Sequence, residues 1–325
     1  MASQTIALIG AGTWGKNHLK TLDSLGVLHS VYEPSGQALK DRKKDFPHIC
    51  YAESEADILA DPRIRAVVIA VPAALHFAAA KKYLLAGKDV LVEKPLALTV
   101  AEGEELIRIA GQKERILMVG HILQYHPAVI KLKELIDQDE LGAIRYIYSN
   151  RLNIGKLRTE ENVLWSFAPH DISLILMLLD NREPVRVTAY GGAYVNPHIF
   201  DTTLTTLEFA CQVKGHIFVS WLHPFKEQKL VVVGSKKMAV FDDVGEDKLR
   251  VYPHRIEFID QHIPVAHKAD SYVVAVESKE PLKEELLHFL HCIEERRVPR
   301  TDGQEGLRVL RILQAAQQSL KGDKA

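Results

Sequence analysis

Apolar positions fall into two regimes along this chain. Up to about residue 121, short unbroken apolar runs alternate with stretches in which apolar residues recur every three or four positions. Runs at 5–9, 27–32, 66–71, 89–92 and 116–120 predict strands, with a further short strand at 48–51. The stretches 16–25, 35–45, 53–59, 73–86 and 100–111 predict the helices between them. Ala66-Val67-Val68-Ile69-Ala70-Val71 has no polar interruption, as a strand buried on both faces requires. Repeated β-α units with such strands imply a parallel, doubly wound sheet, which takes its ligands at the carboxyl ends of its strands.

The pattern changes near residue 122. A helix is expected at 127–138, an alternating strand at 144–154, and an apolar helix at 171–179. Strand-like runs follow at 185–190, 202–209, 215–221, 229–233, 238–241 and 248–251, joined by short turns. Two helices, 282–297 and Gly303–Leu320, close the chain with Pro299 between them. The expected architecture is α/β: an N-terminal doubly wound parallel sheet over 1–121, then an α+β domain over 122–325 with a large, mostly antiparallel open sheet. The closing helices would pack back on the first domain. An open sheet must cover its apolar face, so a homo-oligomer, dimer or tetramer, is expected.

Composition narrows the class. With 47% hydrophobic and 26% charged residues and a net charge of −1, nothing suggests a nucleic-acid footprint or a polybasic membrane patch. No apolar stretch approaches the roughly 20 residues of a membrane span. The first strand starts almost at once and leaves no room for a signal peptide. Cys50, Cys211 and Cys292 form no C-x-x-C, which fits a reducing cytoplasm. The 15 histidines show no zinc spacing, so no metal is expected.

Chemistry concentrates at four strand ends. After the first strand comes Gly10-Ala11-Gly12-Thr13-Trp14-Gly15, a G-x-G-x-x-G turn opening a helix. Gly10 allows the tight turn, Gly12 lets the backbone approach a pyrophosphate, and Gly15 lets helix and strand pack. The N–H groups at the helix start face the anion. Glu33 ends the second run, 18 residues after Gly15, where an acid meets the adenosine ribose. A carboxylate there accepts from both ribose hydroxyls and repels a 2′-phosphate; Pro34, Ser35 and Gly36 follow, so NAD is expected over NADP. Glu33 as a solvated loop acid is the alternative.

Glu93-Lys94-Pro95 stands past the 89–92 run, near where a nicotinamide would lie. Burial and an oxidised nicotinamide would both favour the neutral amine, able to move a proton near neutral pH. A plain surface lysine is the other reading. Asn162-Val163-Leu164-Trp165-Ser166-Phe167-Ala168-Pro169-His170-Asp171 leads into the apolar helix, with His170 at its start and Asp171 as a cap. His170 is a general base, a hydroxyl-positioning donor, or a satisfied core histidine.

Taken together, Gly10–Gly15, Glu33, Ala70-Val71-Pro72 with His76 nearby, Glu93-Lys94-Pro95 and the histidine resemble the Gfo/Idh/MocA oxidoreductases. The resemblance spans nearly the whole chain, reaching 284–289 and 299–303. It implies a Rossmann domain, a C-terminal open-sheet domain, an oligomer, and hydride transfer between NAD(P) and a sugar or cyclitol carbon. Lys94 and His170 become the catalytic candidates. Thr13, Trp14, Val71, Pro72, His76, Glu93, Gln124 and Trp165 join the glycines, Glu33 and Lys94 as cofactor contacts. Segments 119–128, 151–158 and 168–171 further resemble the branch acting on UDP-N-acetyl-hexosamines, which oxidises the C3 hydroxyl to a ketone before an aminotransferase acts. On that likeness Tyr125, Arg151, Asn153, Lys156, Arg158, Asn162, His170 and Asp171 line the sugar nucleotide with Lys94, and the lysine and arginines suit its diphosphate. An exposed basic strand end is the alternative. Tyr125 and Trp165 either pack a ring or belong to the core.

One departure bears on mechanism. Many members of the family carry an aspartate four residues before this histidine, and here the position is Ser166. Serine orients an imidazole only weakly, which favours Lys94 as proton acceptor and His170 as holder of the hydroxyl. An inositol or UDP-N-acetylglucuronate dehydrogenase, a 3-ketosugar reductase, and a non-catalytic NAD-binding regulator stay open as rivals.

Overall fold

Strands too apolar to face water on either side must lie in the middle of a sandwich, and the first third of the chain does this. The computed structural model describes residues 5–155, 157–210, 212–260 and 262–322. β1 (Ile6–Ile9), β2 (Leu28–Tyr32), β3 (Ala66–Ile69), β4 (Asp89–Glu93) and β5 (Leu117–Gly120) form one sheet in the order β2-β1-β3-β4-β5. Every pairing in it is parallel. All residues of β1 and β3 are buried. The connecting helices are α1 (Gly15–Ser24), α2 (Gly36–Asp45), α3 (Glu55–Ala60), α4 (His76–Leu85) and α5 (Val100–Gln112). Ser54 opens α3 and Thr99 opens α5 with capping boxes, each satisfying two of the orphan N–H groups at a helix start.

The strand expected at 48–51 reduces to one bridge, Val31 to Tyr51, held by Val31 N–H on Cys50 O and Ala52 N–H on Val31 O, both 2.9 Å. Half of that segment is exposed and none of it is fully buried, with no apolar run whose burial would extend the ladder.

The chain leaves β1 toward β2 on one side and returns to β3 on the other. Because all five strands are parallel, the residues after β1, β2, β3 and β4 share one edge at this topological switch point. Gly10–Gly15, Glu33, Val71-Pro72 and Lys94 therefore meet there although they are scattered in sequence.

The chain divides into two compact units, Met1–Ile122 with Glu280–Leu310, and Leu123–Lys279 with Arg311–Ala325. In the second unit, α6 (Pro127–Asp137) precedes β6 (Ile144–Leu152), and α7 (Val163–Leu178) precedes β7 (Arg186–Gly192), β8 (Thr202–Glu208), β9 (Lys214–Ser220), β10 (Glu227–Gly234), β11 (Met238–Asp242) and β12 (Leu249–Tyr252). With β15 (Tyr272–Val273) these make an eight-stranded open sheet in the order β15-β12-β11-β10-β6-β9-β8-β7. It is antiparallel apart from the β6–β9 pairing. Ile147, Ser149 and Arg151 of β6 point to the buried face, which packs on α7; Tyr146, Tyr148 and Asn150 point to the half-exposed one. β13 (Arg255–Ile259) and β14 (Ile263–His267) form a separate exposed hairpin that no sequence pattern announced.

α8 (Pro281–Glu295) packs on α1, and α9 (Gly303–Leu320) begins against α5, where a Cβ on Gly103 would lie 3.2 Å from Leu307 and from Leu310. No helix among the described residues is long and apolar enough to cross a membrane.

The helix expected at 171–179 starts earlier. α7 begins at Val163, its N-terminus capped by Asn162, whose Oδ1 accepts from the N–H of Trp165 at 3.3 Å. Asp171 is thus no cap, and His170 sits mid-helix rather than at a helix start. Pro169, which suggests a break, lies inside the helix; most of α7 is buried, and that packing outweighs the one hydrogen bond a proline removes.

Candidate functional site

The glycine turn is shaped by its own backbone. Gly10 has φ +88°, and a Cβ there would fall 2.8 Å from the carbonyl oxygen of Ala70. A Cβ on Gly15 would fall 2.1 Å from the carbonyl oxygen of Gly10. At Gly12 a Cβ would meet nothing within 4 Å. The first and third glycines are therefore demanded by the chain, whereas the second leaves open space above the backbone, as a pyrophosphate cradle requires. Gly15→Ala is expected to cost about 3 kcal/mol or more in urea unfolding, because backbone meets backbone. Gly12→Ala should leave stability unchanged yet weaken the expected dinucleotide about tenfold in a fluorescence titration, the weight of one lost hydrogen bond to a charged group.

Glu33 is no solvated loop acid. It is buried, and its two oxygens accept from Ala11 N–H at 2.6 Å and Ser35 N–H at 2.8 Å. This clamps the end of β2 to the glycine turn. Each carboxylate oxygen keeps a lone pair for a further donor such as a ribose hydroxyl.

At the end of β4, Glu93 is buried with Oε1 2.7 Å from His18 Nε2 and 2.5 Å from Trp14 Nε1, while Oε2 accepts the N–H of Lys94 at 3.2 Å. Burial pushes this carboxyl up, but the bonds and charge of His18, the Trp14 indole and the Lys94 charge together hold it below the usual range. Lys94 is half-buried and the Lys94–Pro95 peptide is cis. His76 is buried with Nδ1 2.7 Å from Pro95 O and Nε2 2.9 Å from Val71 O, so it braces the β3 end against the lysine loop. Burial lowers its pKa against the pull of those two carbonyls. Thr13, Trp14 and Pro72 are exposed along the same edge, with Val71 half-buried.

The second unit holds the other candidates. Ser166 is buried four residues before the half-buried His170, on the same face of α7. Asp171 is buried and bonded to Arg151 twice, Nε to Oδ2 at 2.9 Å and Nη2 to Oδ1 at 3.2 Å, with Ser149 Oγ on Oδ1 at 2.5 Å. Arg151 is thus not an exposed strand-end base; its guanidinium is committed to Asp171. Arg158 is exposed and pairs with Glu161. Asn153 follows β6, its N–H on Ser220 O at 3.1 Å. Lys156 lies outside the described residues. Asn162 Nδ2 and Trp165 Nε1 both donate to Gln317 Oε1, at 2.7 and 3.0 Å. Gln124 is buried and donates to Ser173 Oγ at 2.8 Å, and Tyr125 is 2% exposed.

Lys94 belongs to the first unit and His170 to the second. Sequence reasoning missed His18, Ser149 and Gln317. Only His18 left a signal, a polar residue one helical turn past Gly15 on the buried stripe of α1.

Comparison with known proteins agrees over nearly the whole length. Residues 4–121 match the model for the oxidoreductase family with NAD-binding Rossmann fold, and residues 129–240 match the GFO/IDH/MocA C-terminal domain. UDP-N-acetylglucosamine 3-dehydrogenase of Acidithiobacillus ferrooxidans is 27% identical over 95% of both chains. D-xylose 1-dehydrogenase [NADP(+)] of Haloarcula marismortui is 23% identical over 93% of this chain and 86% of that one. The solved structure of the Acidithiobacillus UDP-N-acetylglucosamine 3-dehydrogenase, GnnA, has a TM-score of 0.86 and 25% identity, covering 99% of each chain.

Proposed function

The chain belongs to the Gfo/Idh/MocA family of oxidoreductases, and from that premise we propose that it oxidises the C3 hydroxyl of UDP-N-acetylglucosamine to a ketone with NAD, in the cytoplasm and ahead of an aminotransferase. The end-to-end likeness to a 3-dehydrogenase for this sugar nucleotide carries the reading.

The N–H groups of the Gly10–Gly15 turn hold the pyrophosphate. Glu33 takes the adenosine ribose and disfavours a 2′-phosphate. Thr13, Trp14, Val71 and Pro72 complete the cofactor contacts along that edge, and His76 and Glu93 brace the loops behind them. The nicotinamide, when bound, supplies the hydride acceptor. Lys94 accepts the hydroxyl proton, and His170 holds the oxygen that loses it. Ser166 cannot raise the basicity of His170 as a carboxylate would, which gives the base role to Lys94. Asn153, Arg158 and Asn162 contact the sugar nucleotide. Arg151 and Asp171 serve it through the frame they hold together.

NADH formation at 340 nm tests the substrate, with NAD and an amine trap to pull the ketone forward. The panel is UDP-N-acetylglucosamine, UDP-N-acetylglucuronate, UDP-glucose, UDP-N-acetylgalactosamine and myo-inositol. Signal with UDP-N-acetylglucosamine, with a product two hydrogens lighter by mass spectrometry, is the expected result. Signal with inositol alone overturns the substrate. Silence throughout, despite measurable NAD binding, points to a reductase or to a protein that binds NAD without using it.

A further inference from the structure

Glu93 does more than precede Lys94. Three elements turn donors or charges on its carboxylate. α1 brings His18 and Trp14, which share Oε1 at 2.7 and 2.5 Å. The lysine loop brings the N–H of Lys94 to Oε2 at 3.2 Å, and the Lys94 charge bears on the group as well. α8 brings Glu285, fully buried, with neither oxygen hydrogen-bonded among the described residues. Gly120 of β5 closes one side, since a Cβ there would stand 3.1–3.2 Å from the carboxylate atoms. His76 of α4 feels the charges of both Glu93 and Lys94. Burial, then the Glu93 charge, push the Glu285 carboxyl well above the usual carboxylate range.

We propose that His18 is a positioning residue for Lys94: by gripping Glu93 it keeps a carboxylate charge beside the lysine and ties the helix of the glycine turn to the lysine's strand. This rests on Lys94 being the proton acceptor. A carboxylate beside an ammonium favours the charged form and raises the pH at which the lysine gives up its proton. Burial works against that carboxylate, and the His18 donor offsets it. Without His18, Glu93 takes up a proton more readily and Lys94 titrates at lower pH.

The test reads Lys94 directly by ¹⁵N NMR of the lysine Nζ across pH, its resonance identified by its loss in Lys94→Arg. The pH profile of NADH formation is measured beside it. Glu93→Gln should lower the Lys94 midpoint by about one to three pH units and His18→Leu by a smaller amount in the same direction, and the acid limb of the profile should follow. His18→Gln, whose amide still donates to Glu93, should restore the wild-type midpoint. Should His18→Leu fail to fold, Trp14→Phe carries the test with a smaller shift in the same direction, since Trp14 is 43% exposed. An unchanged midpoint in the folded variants, with only thermal stability lowered, overturns the proposal. So does a shifted midpoint with an acid limb that stays put, because Lys94 is then not the base. A shifted midpoint with no turnover of any panel sugar supports the His18 coupling and overturns the proposed substrate instead.

Discussion

Lys94→Met, which removes the proposed proton acceptor, is expected to lower kcat by about 100- to 10,000-fold, the usual weight of such a group, with a much smaller loss of dinucleotide affinity. Methionine keeps the length of the stem and removes only the amine. The fold around it should persist, because Glu93 keeps its contacts to His18, Trp14 and the main-chain N–H of residue 94. Stopped-flow NADH formation under saturating substrate separates the chemical step from binding, and a fluorescence titration reports NAD. His170→Asn retains a donor for the hydroxyl oxygen and should cost less in kcat than in KM. Normal turnover in Lys94→Met together with loss of activity in His170→Asn would reverse the two roles.

The second large effect concerns stability. Arg151→Met takes the guanidinium away from the buried carboxylate of Asp171, to which the Ser149 hydroxyl still donates, and should cost about 3–5 kcal/mol in urea unfolding. Arg151→Met with Asp171→Leu removes both charges together and should recover most of that loss, since apolar replacement of a buried pair is often near neutral. Were Arg151→Met to leave stability within about 1 kcal/mol and instead raise KM for the sugar nucleotide, the arginine would be a substrate group and not a structural one. The pair joins the middle of α7 to β6, so its loss should also displace His170 one residue away.

The first unit was legible almost strand by strand, because its signals are local. An unbroken apolar run such as Ala66–Ile69 has one way to hide both faces, and a G-x-G-x-x-G turn has one backbone shape that Gly10 and Gly15 permit. The alternation of β6 was visible for the same reason. The start of α7 was not. Asn162 is an ordinary cap residue in sequence, Pro169 mimics a stop, and only burial against the sheet decides between them. The exposed hairpin of β13 and β14 has no buried face to leave a periodic mark.

Candidate side chains divide along the same line. The sequence by itself determined which residues stand at strand ends: Glu33, Glu93 and Lys94 follow from counting along parallel β-α units, because such a sheet puts all its carboxyl ends on one edge. It also determined that residue 166 is a serine, which orients an imidazole only weakly. Only the tertiary structure decided what each polar group faces. Arg151 and Asp171 are 20 residues apart and His18 and Glu93 are 75 apart, and nothing in their own neighbourhoods marks them as pairs. Burial makes the choice, since a charge taken out of water must find a partner wherever the fold supplies one. The fold supplied Asp171 to an arginine that reads in sequence as a phosphate ligand, and His18 to a glutamate that reads as a cofactor contact beside the lysine.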